Sequence, residues 1–556
     1  MPSHFDTDAE NEKLKSIYEH EEEDLTRILA DKYGIPYIDL SLYPINMDAL
    51  RLLPEAQARE AEAIVFDKTG KHTLVAVHNP ENEVLKAVLH DLELRGLIIQ
   101  VQLASKRALE KAFERYADLS LAAESKQGVF DIESEELKKL SAELNNLPAL
   151  RLFLTDAVDP KHRAQTSRLL EGLLASALTL RASDIHIEPE EDAIRLRLRL
   201  DGQLTDVFFF DAHAYKLLTS RIKLLSGLKL NIANRAQDGR FSIGVGDKEI
   251  EIRTSLIPGN YGENIVLRIL DPEGIQRTFA EMGLNEKLYK RLETEIHRPN
   301  GMLLTTGPTG SGKTTTLYSF LRAVHTPDVK IITIEDPIEY HLPGIVQTQT
   351  DGREYTFASG LRSVLRQDPD VIMVGEIRDS EVAETAIQAA LTGHFVFSTL
   401  HTNNAAGAFP RLMDLGVDPK TIPSAVTVAM AQRLVRVLNP ETRIRRQTTD
   451  EEKRAMERIF ASLEDKSQMP ESFDYVYSAH ETETDTGYKG RLGVHEAIFM
   501  DEELAELLKM GPSAAEIEKA TRRQGYLTMA QDGVLKAISG FTSLEEVFKV
   551  VDIPRE

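Results

Sequence analysis

The chain has no cysteine among its 556 residues. That excludes disulfide staples and any zinc site built on thiolates. No apolar run approaches the roughly 18 residues that would cross a bilayer. The opening MPSHFDTDAENEK has no basic stretch leading into an apolar core, so no secretory signal is read there. Positive charge is in deficit, with 66 Lys and Arg against 89 Asp and Glu and a net charge of -23. Such a balance argues against bare nucleic acid as the main partner. No internal repeat or long low-complexity segment is present. The expectation is a cytoplasmic protein of three or four domains, at about 150 residues per domain, that meets a membrane only through partners.

What is present centres on Gly307-Pro308-Thr309-Gly310-Ser311-Gly312-Lys313-Thr314, which fits G-x-x-x-x-G-K-[ST]. Gly301 to Thr306 before it reads as a buried strand, and the stretch from Thr315 to Leu321 as a helix. The glycines let successive N–H groups turn inward on a phosphate at a helix N-terminus. Lys313 is placed for the β- and γ-phosphates, the Thr314 hydroxyl for Mg²⁺, and Thr315 closes the cradle. The strand before and helix after disfavour a chance Gly-rich turn. The chain binds a nucleoside triphosphate.

Around this loop the pattern divides. Residues 1–24 read as an acidic tail and 25–117 as a small α/β docking domain, with helices from Leu25 and Leu53 and strands at Ala63–Phe66 and Leu74–Val77. No cyclic-dinucleotide motif is read in it. Residues 118–160, rich in Ser, Glu, Lys and Asn, read as a linker with one short helix. In 161–275 a periodic helix from Ser167 to Ala182 precedes the strand Ile194-Arg195-Leu196-Arg197-Leu198-Arg199-Leu200, whose alternation puts arginines on one face. Those arginines suit either a solvated face or anion contact across a subunit boundary. Arg240, Arg253 and Arg268 recur on short strands nearby, and His186 reads as structural. Residues 276–440 alternate strands and helices, as in a doubly wound parallel sheet. Its strands end in acids, Glu335, Asp336 and Glu339 on one and Glu376 and Asp379 on another. Acids at that end can hold a metal or its water, or orient an attacking water; each alone can also be a helix cap or ion-pair partner. A further strand ends in His401, Thr402 and Asn403, which suit either a γ-phosphate sensor or a hydrogen-bonded loop. Residues 441–490 form a charged insertion, and 491–556 a strand with a helical subdomain.

Four motifs in order resemble the GspE/PilB family of secretion ATPases, which serve type II secretion and type IV pilus assembly. They are the Walker A loop at 307–314, the aspartate box from Ile334 to Tyr340, the Walker B stretch at 361–379 and the histidine box at 391–404. The stretches 182–189, 237–240 and 262–270, Gln432-Arg433-Leu434-Val435-Arg436 and Gly487–Glu496 extend the likeness. The resemblance implies an α/β multidomain chain: a small N-terminal α/β domain, a PAS-like arginine-rich second domain and a RecA-like ATPase core with a C-terminal helical subdomain. It implies a homohexameric motor driven by ATP and Mg²⁺, working with an inner-membrane platform protein and the cytoplasmic domain of a membrane assembly protein. Carried over by position, Glu376 is the catalytic glutamate and reaches Mg²⁺ through water beside Thr314. Glu335 is the aspartate-box acid, Arg253 and Arg268 reach the γ-phosphate with Arg240 a third candidate, and His401 completes the catalytic set. A first domain points to the assembly or secretion branch rather than to pilus retraction. Many relatives carry a four-cysteine zinc site after Val435-Arg436. Here Asn439 stands where a cysteine is expected, so no zinc is predicted and the insertion should be held by ordinary packing.

Overall fold

The computed structural model describes residues 22–553 except 41–42, 44, 51, 70, 114, 117–128, 132–133, 159–165, 246–247, 271–276 and 483–484. The acidic tail therefore lies almost wholly outside the described residues. In the first unit, strand Ala63–Thr69 pairs antiparallel with His72–Val77, which pairs parallel with Ile98–Leu103. Ile64, Val65, Phe66 and Val75 to Val77 are fully buried against the helices Glu83–Leu94 and Lys106–Phe113. The Gly34–Leu40 stretch makes a single bridge to this sheet, Tyr37 to Leu103.

The second unit is a seven-stranded sheet, in spatial order 129–131, 237–245, 248–258, 263–270, 184–189, 194–200 and 203–210. Alternation works as read: Ile194, Leu196 and Leu198 are buried while Arg195, Arg197 and Arg199 face outward. Those three arginines meet acids of their own chain, Arg195 at Glu190 (2.9 Å), Arg197 at Glu188 (2.7 Å) and Arg199 at Asp184 (3.3 Å). That outer face is thus ion-paired within the chain.

The stretch read as a linker is more structured than expected. It holds the strand Val129–Asp131 and two helices, Ser134–Glu143 and Leu147–Ala157. Leu140, Leu144, Leu150 and Leu154 are buried in the core of the second unit beside Leu170 and Leu173. The reason is the leucine spacing: 140/144 and 150/154 are i,i+4 pairs that form one apolar stripe per helix, and Asn146 caps the second helix at Ala149 N–H.

The third sheet carries the phosphate loop. Its order is 346–349, 331–335, 371–374, 395–400, 301–306, 426–438 and 488–499, parallel throughout except for the last pair. Strands Gly301–Thr306 and Phe395–Leu400 are buried along their whole length, as near-continuous apolar runs should be when helices cover both faces. The Tyr488–Phe499 strand, assigned by sequence to the C-terminal region, is the seventh strand of this sheet, antiparallel to Val426–Leu438. The insertion has its own two-stranded sheet, Ile444–Gln447 with Tyr475–Ser478, and a helix Asp450–Ala461 begun by a Thr449–Glu452 capping box. Met456, Phe460, Phe473 and Val476 share a core with Val494, Val534 and Val547. Asn439 donates its side-chain amide to Asp485 at 2.7 Å and its N–H to Gly487 at 2.9 Å, closing the base of the insertion.

Leu154→Ala should destabilise the second unit by about 2–5 kcal/mol, the usual range for a fully buried leucine. Chemical denaturation would check it; a change within about 0.5 kcal/mol, normal for a surface site, would return this segment to a loose tether.

Candidate active site

The phosphate loop leaves the carboxyl end of Gly301–Thr306, where parallel sheets place their ligands. Its conformation demands glycine. A Cβ on Gly307 would sit 2.6 Å from the Ser311 Oγ and 2.7 Å from the Gln432 carbonyl oxygen, and Gly312 has φ +88°. The Ser311 hydroxyl is buried with no hydrogen-bond partner, an orphan that a phosphate oxygen can satisfy. Lys313 starts the helix Lys313–Val324 and folds its ammonium back on the carbonyls of Gly307 (2.8 Å) and Pro308 (3.1 Å). Burial pulls the Lys313 ammonium below its usual range, and the Glu376 carboxylate nearby pushes it the other way. Thr314 and Thr315 are half-buried at the mouth. Gly312, Thr315 and Thr316 also share a cavity of about 220 Å³ with Arg181, Ser183 and Asp201 of the second unit.

Glu376 follows the strand Val371–Val374 and is the centre of a polar cluster. Arg378 pairs with it and reaches Asp336 at 3.8 Å. His401 Nε2 lies 3.1 Å from its other carboxylate oxygen. The loop bearing His401 is anchored by Thr402, whose N–H and hydroxyl meet the Thr306 hydroxyl at 2.8 and 2.7 Å. Glu376, His401 and Lys313 are thus brought to one end of the sheet, as read from the sequence.

Glu335 is not in that cluster. Its side chain turns into the core, where it accepts from the Tyr318 hydroxyl, from Thr333 at 2.6 Å and from Gln347 at 3.0 Å. Burial raises its pKa against the pull of these hydrogen bonds, and burial likewise pushes Tyr340 beside it up to about 12. The arginines form a group of their own. Arg240 is opposite Arg253, and Arg253 opposite Arg268, so three guanidinium side chains stand in a row across neighbouring strands. Arg253 donates to the Ile338 carbonyl at 2.7 Å and meets Glu339 at 3.3 Å, while Arg268 meets Asp184 at 2.9 Å and stays largely exposed. The row lines an open cleft of about 1120 Å³ against Pro337 to His341, and no residue of the phosphate loop lines that cleft.

Two contributors escaped the motif reading. Gln432, on Val426–Leu438, donates from Nε2 to the Ser311 carbonyl and accepts from the Thr316 hydroxyl, both at 2.7 Å. Arg378 lies at the tail of the Walker B stretch, where the acids carry the pattern. The first was visible only as part of the Gln432-Arg433-Leu434-Val435-Arg436 stretch; neither side chain carries a local signal. Among the described residues, no three His, Asp or Glu side chains group as a metal site, and no helix is long and apolar enough to cross a membrane.

A Walker loop on a parallel sheet, with a strand-end glutamate held by a histidine, defines a P-loop ATPase. Residues 159–549 match the family described as "Type II/IV secretion system protein", and residues 33–123 match the MshEN domain. The chain belongs to that secretion ATPase family. It is 35% identical over 95% of its length to the type IV pilus assembly ATPase PilB of Myxococcus xanthus, covering 91% of that protein. It is 37% identical over 92% of its length to the type II secretion system protein E of Dickeya dadantii, covering 99% of it. The solved ATPase DotB of Yersinia pseudotuberculosis shares the fold, with a TM-score of 0.51 at 20% identity over 69% of this chain and 93% of that one.

Gln432→Leu would leave the Ser311 carbonyl and the Thr316 hydroxyl buried and unpaired, at a cost of about 1–3 kcal/mol each. Nucleotide affinity should fall by roughly tenfold or more with the chain still folded. Titration with a fluorescent ATP analogue reads it, and unchanged affinity would remove Gln432 from the site.

Proposed function

We propose that this chain is the hexameric ATP-driven motor of type IV pilus assembly, acting at the inner face of the cytoplasmic membrane through partners. The observation that carries the motor reading is the Glu376–His401–Arg378 cluster beside Lys313. The pilus reading is supported by the likeness to PilB, which runs through the first domain as well as the ATPase core. Type II secretion is the second reading, favoured by the nearly full-length likeness to the secretion protein of Dickeya dadantii. The net charge of -23 speaks against a nucleic-acid translocase.

In this reading the loop from Gly307 to Thr315 wraps the phosphates, and Lys313 swings from its two carbonyls to the β- and γ-oxygens. Thr314 and, through water, Glu376 would hold Mg²⁺, which when bound neutralises phosphate charge. Glu376 accepts the proton of the water that attacks the γ-phosphorus, and His401 keeps its carboxylate in place. The row Arg240–Arg253–Arg268 offers positive charge for the transferred phosphoryl group once closure, or a neighbouring subunit, brings it there. Glu335, in its buried network, supports the aspartate-box strand from which Asp336 and Glu339 project. The proposed division of labour gives 25–117 to docking on membrane partners, 161–275 together with the helices before it to the arginine row, and 276–440 to hydrolysis. Residues 441–490 and 491–556 complete the core without zinc.

Glu376→Gln should leave ATP binding intact and abolish turnover, a loss of at least about 10²-fold as expected for a catalytic base. In the source cell the same variant separates the two machines. Lost surface filaments with intact protein secretion support pilus assembly, whereas retained filaments with cargo stranded in the envelope would replace it with secretion. Elemental analysis of the purified protein should find no stoichiometric zinc; one zinc per chain would overturn the packing account of 441–490.

A further inference from the structure

The loop that carries His401 is held from behind by a carboxylate that belongs to none of the ATPase motifs. Glu496 lies on the strand Tyr488–Phe499, opposite Ala431. Its Oε1 accepts the N–H of Ala405 at 2.8 Å, and its Oε2 accepts the N–H of Met529 at 3.1 Å. Ala405 is four residues past His401, and Met529 is the first residue of the helix Met529–Ile538. One side chain therefore bridges the histidine loop and the C-terminal helices.

The bridge is more than a helix cap. The Met529 helix has its own capping box, in which Thr528 and Gln531 exchange hydrogen bonds, and Glu496 adds the Met529 N–H to it while reaching the histidine loop with its other oxygen. Two residues along the paired strand from Ala431, Arg433 contributes as well, donating to the Asn403 carbonyl at 2.8 Å. The loop is thus pinned at residues 403 and 405, on either side of Asn404. Asn404 in turn fixes the turn itself by accepting from Thr402 Oγ1 and Gly407 N–H, both at 2.9 Å. Glu496 opens onto a cavity of about 380 Å³ between the loop and the C-terminal helices. Burial raises the Glu496 pKa, and its two N–H donors oppose that rise.

We infer that Glu496 is a positioning residue that sets the His401 loop, and with it the hydrogen bond from His401 to Glu376, according to where the C-terminal helices lie. The arrangement gives those helices a direct mechanical route to the catalytic end of the sheet. It rests on the reading of His401 and Glu376 as catalytic, so the test treats the two separately.

The experiment compares the full-length protein with Glu496→Ala, Glu496→Gln, His401→Ala and the double variant Glu496→Ala/His401→Ala, in ATP turnover and in thermal denaturation. Displacing a catalytic group by about 1 Å costs on the order of 10²-fold. Glu496→Ala is therefore expected to lower kcat by roughly tenfold to a hundredfold, with KM for ATP changed by less than about threefold. Glu496→Gln keeps one acceptor oxygen and should fall between the alanine variant and the natural protein. In the His401→Ala background, Glu496→Ala should cost less than about twofold further, because both changes act through one side chain. A full kcat in Glu496→Ala, or losses that multiply in the double variant, would overturn the inference with His401 left standing. A full kcat in His401→Ala would remove His401 from catalysis, and the route from Glu496 with it. Should the alanine variant lose its cooperative thermal transition, the isosteric glutamine variant carries the same comparisons.

Discussion

The arrangement of the catalytic end depends on one buried amide. Gln432 is almost wholly enclosed, and it both donates to the Ser311 carbonyl and accepts from the Thr316 hydroxyl. In a low-dielectric interior a polar network of this kind stabilises only when every member is satisfied. The phosphate loop is therefore tied to the strand Val426–Leu438 in a single register. That strand in turn pairs over most of its length with Tyr488–Phe499, whose Val494 belongs to the core of the insertion and the C-terminal helices. A contact 121 residues away in sequence thus ties the nucleotide loop to the rest of the C-terminal half.

Charge follows a different logic. Like charges directly opposite on neighbouring strands destabilise a sheet by up to about 1 kcal/mol per pair. The row of Arg240, Arg253 and Arg268 is nevertheless built across three of them. Nearby acids offset part of this: Glu251 and Glu339 at Arg253, and Asp184 at Arg268. Arg240 is the most exposed of the three, 3.8 Å from Glu251. Relief of the remaining repulsion by an anion fits a chain that is acidic as a whole yet concentrates positive charge in one cleft.

Much of the site was legible because its chemistry is local. The phosphate loop needs a glycine pattern within eight residues, and Glu376 and His401 each end a buried strand of strong apolar character. The parallel order of the sheet followed from alternation of strands and helices. What was not legible depends on distant partners. Nothing in the stretch from Ile334 to Tyr340 says that Glu335 turns inward to Tyr318 and Gln347 while Asp336 turns out toward Arg378. Tyr488–Phe499 read as a turn and strand of the C-terminal region, since only the fold shows it lying against Val426–Leu438. Within 118–160 one short helix is legible, and the second helix and the packing of both are hidden for another reason. The Ser, Glu, Lys and Asn of the surrounding stretch outweigh a leucine spacing that becomes persuasive only beside the apolar face of Leu170 and Leu173.

That last difference changes the geometry of the molecule. With residues 129–131 paired into the second sheet and 134–157 packed on its core, twelve residues, 117–128, separate the strand at 129 from the first unit. At about 3.5 Å per residue their contour length cannot exceed about 40 Å. The first unit is consequently tethered to the second at no more than that radius. Whatever the first unit meets, its distance from the second sheet is capped by twelve residues of chain rather than by the forty-three that a loose segment from 118 to 160 would have allowed.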